Sequence, residues 1–520
     1  MNVWALQHHV TFGSPEYSDS DEDFGRRQGQ SGKISILAPM APPPSKKMFC
    51  KRWLDEQAPP QDVEDEDEGG FRAPSKPTMW KKPCTNNNGV GQHAARVQPA
   101  AAKGGATGTL ILTEEGHCLA HKTGNACLEC PRRVELLCGT SGILRTGIDA
   151  DDLLHQLKFE NHNKEAPLAD LLRVHDWEYL HELISRCDEA RRHKGKTWLD
   201  PPGHPRDTLV SPESYSVANK GAGAVCAAVD RVLQGLCRNA FVPLRPPGHH
   251  AGPAGLVYSD DGSPTESQGF CLINHVAIGA AYARYNYRHM IQRIAIVDFD
   301  VHNGNGTAAI VRNLRPHRHT RMISAETSVT YPSYKPWLDE TDGDNVFFAS
   351  IHLSAHDFYP RLAVPGQGRF GEPEFGMDSD GAADDPAHPN IVNIPMGKTS
   401  TTAESSELFR SLVEKKLLDR LRSFRPDLIM ISAGFDGHHE DCEGNRGWCH
   451  LLEEDYEWIT DRLCEVASDH CKGRIVSVLE GGYHVPQRRG KKGSEMDSQC
   501  VLTSALATSC AAHVRSLLKG

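Results

Sequence analysis

Residues 293–307, RIAIVDFDVHNGNGT, hold the densest chemistry in the chain. The β-branched run 294–297 is short, continuous and free of polar alternation, which predicts a buried parallel strand. It leads into Asp298, Asp300 and His302, which in period-two register share one side of the strand end. The glycines that follow permit a sharp turn, and strand ends of this kind are where open α/β sheets bind ligands. Asp436, in SAGFDGH, completes a set. Two carboxylates, Asp300 and Asp436, and the imidazole of His302 make a three-ligand site for a divalent metal with a free fourth position, the pattern of a catalytic rather than a structural zinc. A metal so placed acidifies water and polarises a carbonyl, which is the chemistry of hydrolysis. The competing reading is a calcium loop, but an EF-hand requires its glycine one residue earlier and a glutamate where Ala309 stands.

Two further loops supply proton chemistry. His249 and His250, in RPPGHH, are adjacent imidazoles on a loop stiffened by prolines, suited to general base and general acid work near neutral pH. Tyr483, in EGGY, places a phenol on a glycine turn where its O–H can stabilise an oxyanion. Taken singly, these residues read as a strand-end charge, a surface turn and a half-buried aromatic. Their common placement just after strands changes that reading.

The elements that must position them alternate along the chain. Short apolar strands are predicted at 107–113, 241–244, 294–297, 346–353, 391–395, 427–432 and 474–479. Helical periodicity marks 166–187, 216–238, 272–287, 403–423, 454–471 and 500–518. Such alternation implies an α/β fold with a mainly parallel sheet covered by helices on both faces. The polar signatures fall just past strand ends, so their loops converge on one rim.

A chain of 520 residues accommodates one large domain with extensions. Residues 1–106 are poor in aliphatics and rich in Pro, Ser and acidic runs such as SDSDED and VEDEDEGG, and read as a disordered tail ahead of a catalytic domain at 107–520. Basic clusters at Lys46-Lys47, Lys51-Arg52 and Lys81-Lys82 fit either a nuclear address or plain solvated charge. A net charge of −11 argues against a broad nucleic-acid footprint. The 16 cysteines lack framework spacing, so reduced thiols are expected. One CxxC, Cys127 and Cys130 between Cys118 and Cys138, invites a zinc-knuckle reading but lacks a second close pair. No apolar run approaches the ~20 residues of a membrane span, and the expected compartment is nucleus, cytoplasm or both.

The motifs RPPGHHA, GFC, DxDVHxGNGT, SAGFD and LEGGY occur in an order that resembles the zinc-dependent histone deacetylase family, most closely its class II branch, over residues 108–520. The resemblance implies an arginase-like deacetylase fold and hydrolysis of N-ε-acetyl-lysine in histones or other proteins. It implies zinc on Asp300, His302 and Asp436, the tandem histidines at His249 and His250, and the transition-state tyrosine at Tyr483. Asp298 matches the carboxylate that orients the first histidine, and Asn305 stands where class II members carry asparagine beside the second. Gly269, Phe270 and Tyr359 fall on the walls of an acyl-lysine channel, and Arg133 matches an internal arginine. A structural potassium is implied at Asp298, Asp300, His302 and Ser350. Acetylated histone tails or other acetylated proteins are the implied partners, with corepressors a further expectation for the N-terminal tail, and neither nucleic acid nor membrane is implied. There are departures: Asn303 replaces a histidine, Cys127-Leu128 replaces His-Pro, segment 321–345 is long, and RRGKK at 488–492 is inserted. Glu443 occupies a channel-mouth position where relatives acting on acetylpolyamines carry glutamate, or else is a solvated loop charge. An acetylpolyamine deacetylase, a two-metal ureohydrolase of the same architecture and a non-catalytic acetyl-lysine scaffold are the alternatives.

Overall fold

Short apolar strands without alternation need cover on both faces, and the fold supplies it. The computed structural model describes residues 108–520 apart from 125–126, 148–156, 194, 201–205, 259–261, 263, 266, 325–326, 356, 361–386 and 487–503. The tail at 1–106 with its basic clusters, its boundary with the catalytic domain, and the basic insert at 488–492 lie outside the described residues.

The strands are β1 (Thr109–Glu114), β2 (Lys158–His162), β3 (Thr197–Trp198), β4 (Leu209–Val210), β5 (Asn239–Val242), β6 (Ile294–Asp298), β7 (His317–Ser324), β8 (Thr327–Ser333), β9 (Val346–Leu353), β10 (Ile391–Met396), β11 (Leu428–Ala433) and β12 (Ile475–Leu479). Eight of them form one parallel sheet in the order β10-β9-β6-β11-β12-β5-β1-β2. β6 therefore lies inside the sheet, and its last residue Asp298 pairs with Ser432 of β11 and Ser350 of β9.

Alternate residues feed two apolar layers. Ile111, Phe241, Val297, Ile431 and Leu479 pack with Leu463 and Val514 of the helices Glu453–Cys471 and Ala505–Lys519. Leu112, Val242, Ile296, Met430 and Val478 pack with Val225 and Ala277 of the helices Ser214–Leu233 and His275–Asn286. Burial on both faces is why these strands carry no polar alternation.

The helix expected at 166–187 is two helices, Leu168–Leu172 and Trp177–Arg192. His175 sits between them and accounts for the break: fully buried, it is bonded through Nδ1 to the Gly252 carbonyl at 2.9 Å and through Nε2 to the Asn274 N–H at 2.9 Å. The expected helix at 403–423 carries a π turn, Val413–Leu418, in its middle. β2, with the polar sequence KFENH, is an edge strand without the apolar run that would betray it. The first part of segment 321–345 belongs to the hairpin β7–β8, whose second strand is exposed.

Candidate active site

β6 ends on Asp298, and the chain then makes a tight turn held by its own carboxylates. Asp298 Oδ1 accepts the Asp300 N–H at 3.0 Å, and Asp300 Oδ1 accepts the His302 N–H at 2.9 Å. From the end of β11, Asp436 accepts the Val301 N–H at 3.1 Å. His302 Nδ1 thereby stands 3.1 Å from both Asp300 Oδ1 and Asp436 Oδ2, with all three residues buried. Gly481 closes this centre. Its N–H donates to Asp300 Oδ2 at 2.7 Å, and a β-carbon there would strike the carboxylates of both Asp300 and Asp436.

The donor set fits a divalent cation. One ligand atom each from Asp300, His302 and Asp436 lies within 4.8 Å of the others, and two carboxylates beside one imidazole are a zinc-type set. Electrostatics argue the same way. Burial and the charge of Asp300 push the Asp436 carboxyl up, a repulsion that a bound cation removes. The Asp300 carboxyl is also penalised by burial, but the neighbouring His249 and His302 hold it below the usual range.

The tandem histidines face the same centre with ring centroids 4.0 Å apart. His249 Nδ1 lies 2.9 Å from Asp298 Oδ2, so this ring donates to a carboxylate. Burial alone would lower its pKa, but Asp300 and Asp298 raise it to about 10. His250 Nδ1 meets an amide oxygen instead, Asn305 Oδ1 at 2.7 Å. Burial and the charges on His249 and His302 hold His250 well below its ordinary value. The two rings are thus differentiated by their partners: one is set to carry charge, the other to stay neutral with its Nε2 lone pair available.

Tyr483 is buried against Phe270, 5.6 Å between ring centroids, with the Arg133 guanidinium 4.8 Å over its ring. Arg133 also binds the carbonyls of Glu480 and, at 2.7 Å, Gly482, which ties the tyrosine turn to the first helix, Arg132–Cys138. Phe270 holds φ +67° and Gly269 φ +55°. Tyr359 lies close to Gly269, and its hydroxyl donates to the Ser267 carbonyl at 2.9 Å. Tyr359 meets the His250 ring edge-on at 4.8 Å between centroids.

Glu443 lies on the short helix Cys442–Asn445 and is exposed. Asn303 donates to Asn393 Oδ1 at 3.1 Å and lies beside the His352 ring. Ser350 Oγ accepts the Gly304 N–H at 3.3 Å and lies 3.0 Å from His352 Nδ1; the potassium expected of Asp298, Asp300, His302 and Ser350 rests on the resemblance alone. None of the described cysteines is in a disulfide, and Cys118, Cys127, Cys130 and Cys138 are not among the described residues whose donor atoms converge on a metal position.

Several residues that hold the site are not among those expected from the sequence. Phe358 stacks on His302 with 4.8 Å between ring centroids and 7° between planes, fixing the imidazole. Glu480 accepts the N–H groups of Gly248 at 2.7 Å and His249 at 3.2 Å, so one carboxylate joins the histidine and tyrosine loops. Its place at the head of EGGY was the available signal. Glu129 is fully buried and grips Arg245, at the head of RPPGHH, through two bonds of 2.7 Å. Burial alone would raise the Glu129 pKa, but Arg245 and His121 depress it below the ordinary 4.5. Glu129→Gln leaves a buried guanidinium uncompensated and should cost about 3–5 kcal/mol of stability at neutral pH. Because the folded-state pKa is depressed, that gap is full above the unfolded value of 4.5 and shrinks as the pH falls below it. Urea unfolding at pH 7 and pH 3 checks both points; a variant as stable as the parent at pH 7 would show that the pair adds nothing.

Residues 128–494 match the model of the histone deacetylase domain. The chain belongs to the zinc-dependent histone deacetylase family. Among its relatives is the type-2 histone deacetylase 2 of Dictyostelium discoideum, 34% identical over 71% of this chain and 19% of the relative. An uncharacterized protein of Synechocystis is 32% identical over 71% of this chain and 92% of its own length. A histone deacetylase-like amidohydrolase of Pseudomonas aeruginosa is 27% identical over 65% of this chain and 70% of that protein. The alignments span only 19% of the length of the two Dictyostelium type-2 enzymes. The crystal structure of the HDA15 HD domain superposes with a TM-score of 0.54 at 22% identity, covering 79% of this chain and 90% of that one, which establishes the arginase-like deacetylase fold.

Proposed function

We propose that this deacetylase-family enzyme hydrolyses N-ε-acetyl-lysine in proteins to lysine and acetate. One observation carries the reading: His250, with an amide partner, and Tyr483 flank the three converging metal-type ligands in one buried centre. Asp300, His302 and Asp436 would hold a zinc ion, which when bound supplies Lewis acidity towards water and the acyl carbonyl. His250 Nε2 takes a proton from the attacking water and returns it to the lysine nitrogen as the C–N bond breaks. His249, charged against Asp298, lends positive potential to the centre without giving up its proton. Tyr483 donates its O–H to the carbonyl oxygen as negative charge develops there. Phe270 and Tyr359 line the path with apolar surface, which suits the uncharged stem of an acylated lysine. Histone tails and other acetylated proteins, in the nucleus or the cytoplasm, are the proposed substrates, and partners of the N-terminal region such as corepressors would direct it to them. Turnover of an acetyl-lysine peptide by the zinc-loaded chain, with one acetate released per lysine formed, is the expected result. Absence of turnover with zinc bound would exclude this reading and leave an acetylpolyamine deacetylase or an acetyl-lysine-binding scaffold.

A second reading, deacetylation of acetylpolyamines, is favoured by one observation. Glu443 is exposed, and the next residue, Gly444, lies close to Asp436 and Tyr483, which supports a role for this carboxylate at the mouth of the site. There it would attract a distal ammonium. If so, Glu443→Leu should lower kcat/KM on acetylspermidine relative to a neutral acetyl-lysine peptide by ~10-fold, the size of one ~1.4 kcal/mol contact. An unchanged ratio would leave protein acetyl-lysine as the substrate class.

A further inference from the structure

The tyrosine loop is tied at almost every backbone polar group. Glu480 N–H donates to the Ala433 carbonyl at 2.9 Å, the Gly481 carbonyl accepts from Phe435 N–H at 3.1 Å, and Arg133 takes the carbonyls of Glu480 and Gly482. The Gly481 N–H goes to Asp300 Oδ2 at 2.7 Å, and the N–H groups of Tyr483 and His484 both go to one oxygen of Asp441, that of His484 at 3.0 Å. The other oxygen accepts the Gly444 N–H at 3.1 Å and so caps the helix Cys442–Asn445. Gly444 in turn is wedged against the chemistry: a β-carbon there would lie 2.8 Å from Asp436 Cβ and 3.2 Å from Tyr483 Cδ2. Asn445 locks the same helix to the ligand loop by donating to the carbonyls of Asp436 at 3.0 Å and His438 at 2.7 Å.

We propose that Asp441 is a positioning residue for Tyr483, a single carboxylate that fixes the tyrosine turn at the distance from the Asp300, His302 and Asp436 centre set by the Cys442–Asn445 helix. The inference rests on the deacetylase reading for what the phenol does, but not for where it is held. Asp441 is 1% exposed. A carboxylate in such a place is costly unless its oxygens are filled, and here backbone N–H groups from two loops fill them. A side chain without acceptors would leave the N–H groups of Tyr483, His484 and Gly444 without this partner and loosen the turn at its glycines, Gly481 and Gly482. Tyr483 would then keep its chemistry and lose its address. A displacement of about 1 Å is enough to cost on the order of 10²-fold in rate.

The test compares the zinc-loaded full chain with Asp441→Ala and Asp441→Asn, each also made in a Tyr483→Phe background. Amide hydrogen exchange of the segment 480–486, bound zinc, and kcat and KM on an acetyl-lysine peptide are measured. Asp441→Ala should speed exchange at Tyr483 and His484 by about tenfold or more. It should keep its zinc and lower kcat by roughly 10- to 100-fold with KM little changed. Asp441→Asn retains one acceptor oxygen, should fall between, and serves if the alanine variant does not fold. In the Tyr483→Phe background neither substitution should lower kcat further, because the group being positioned is gone. Unaltered exchange at 483–484, or an equal loss of kcat with and without the phenol, would overturn the assignment. Should the parent chain fail to turn over acetyl-lysine, the proposed function falls by itself. The exchange measurement then still decides whether Asp441 holds the turn.

Discussion

Asp300→Ala and Asp436→Ala are expected to carry almost no zinc and to hydrolyse acetyl-lysine below detection. Three donor atoms converge in this centre, and two hold a divalent ion poorly. Each residue is also part of the scaffold: Asp300 accepts the N–H groups of His302 and Gly481, and Asp436 that of Val301. Asp300→Asn and Asp436→Asn therefore serve as companions, since they keep an acceptor and lose only the charge. Stability separates a ligand from a merely structural residue by its sign. In the parent, zinc should raise Tm by mass action and a chelator should remove that gain. In the variants the chelator should change nothing, because no ion is held, and the mutual repulsion of the two carboxylates is absent. Mass spectrometry of the purified chains gives the metal content directly. A variant with parent-like zinc would exclude that residue as a ligand.

Tyr483→Phe should lower kcat by roughly 10² to 10³ while bound zinc and KM stay close to the parent values. Phenylalanine preserves the contact with Phe270 and the position beneath the Arg133 guanidinium, so the turn and its packing are kept. Only the hydroxyl is lost, and with it the donor placed for the oxygen that becomes negative in the transition state. Because the interaction strengthens only as charge develops, the loss falls on kcat rather than on substrate binding. Single-turnover kinetics would locate it in the chemical step. A variant as fast as the parent would make the phenol a packing residue and leave the oxyanion without its proposed donor.

The two histidines show how local sequence and tertiary contact divide the work. Their adjacency in RPPGHH is legible as a pair of proton carriers. Their adjacency alone does not say which of them is charged: the family resemblance pairs His249 with Asp298 and His250 with Asn305, and only the fold brings these partners, 49 and 55 residues away, to 2.9 and 2.7 Å. The same holds for the helix expected at 166–187. Its apolar spacing is continuous in sequence, yet His175 interrupts it to bridge Gly252 and Asn274, 77 and 99 residues on.

By itself the sequence determined the alternation of strands and helices, the site residues at strand ends and the membership of the family. It could do so because buried parallel strands require unbroken apolar runs, and because the metal-type, proton-carrying and phenolic groups sit in short motifs beside them. Only the tertiary structure decided what holds those motifs in register: Glu129 on Arg245, Arg133 on a carbonyl 349 residues distant, Glu480 beneath the histidine turn, Phe358 on His302, and Asp441 on Tyr483. Each of these is one polar or aromatic side chain satisfying groups on a remote loop, a pairing that leaves no period in the chain and exists only once the sheet has brought the loops together.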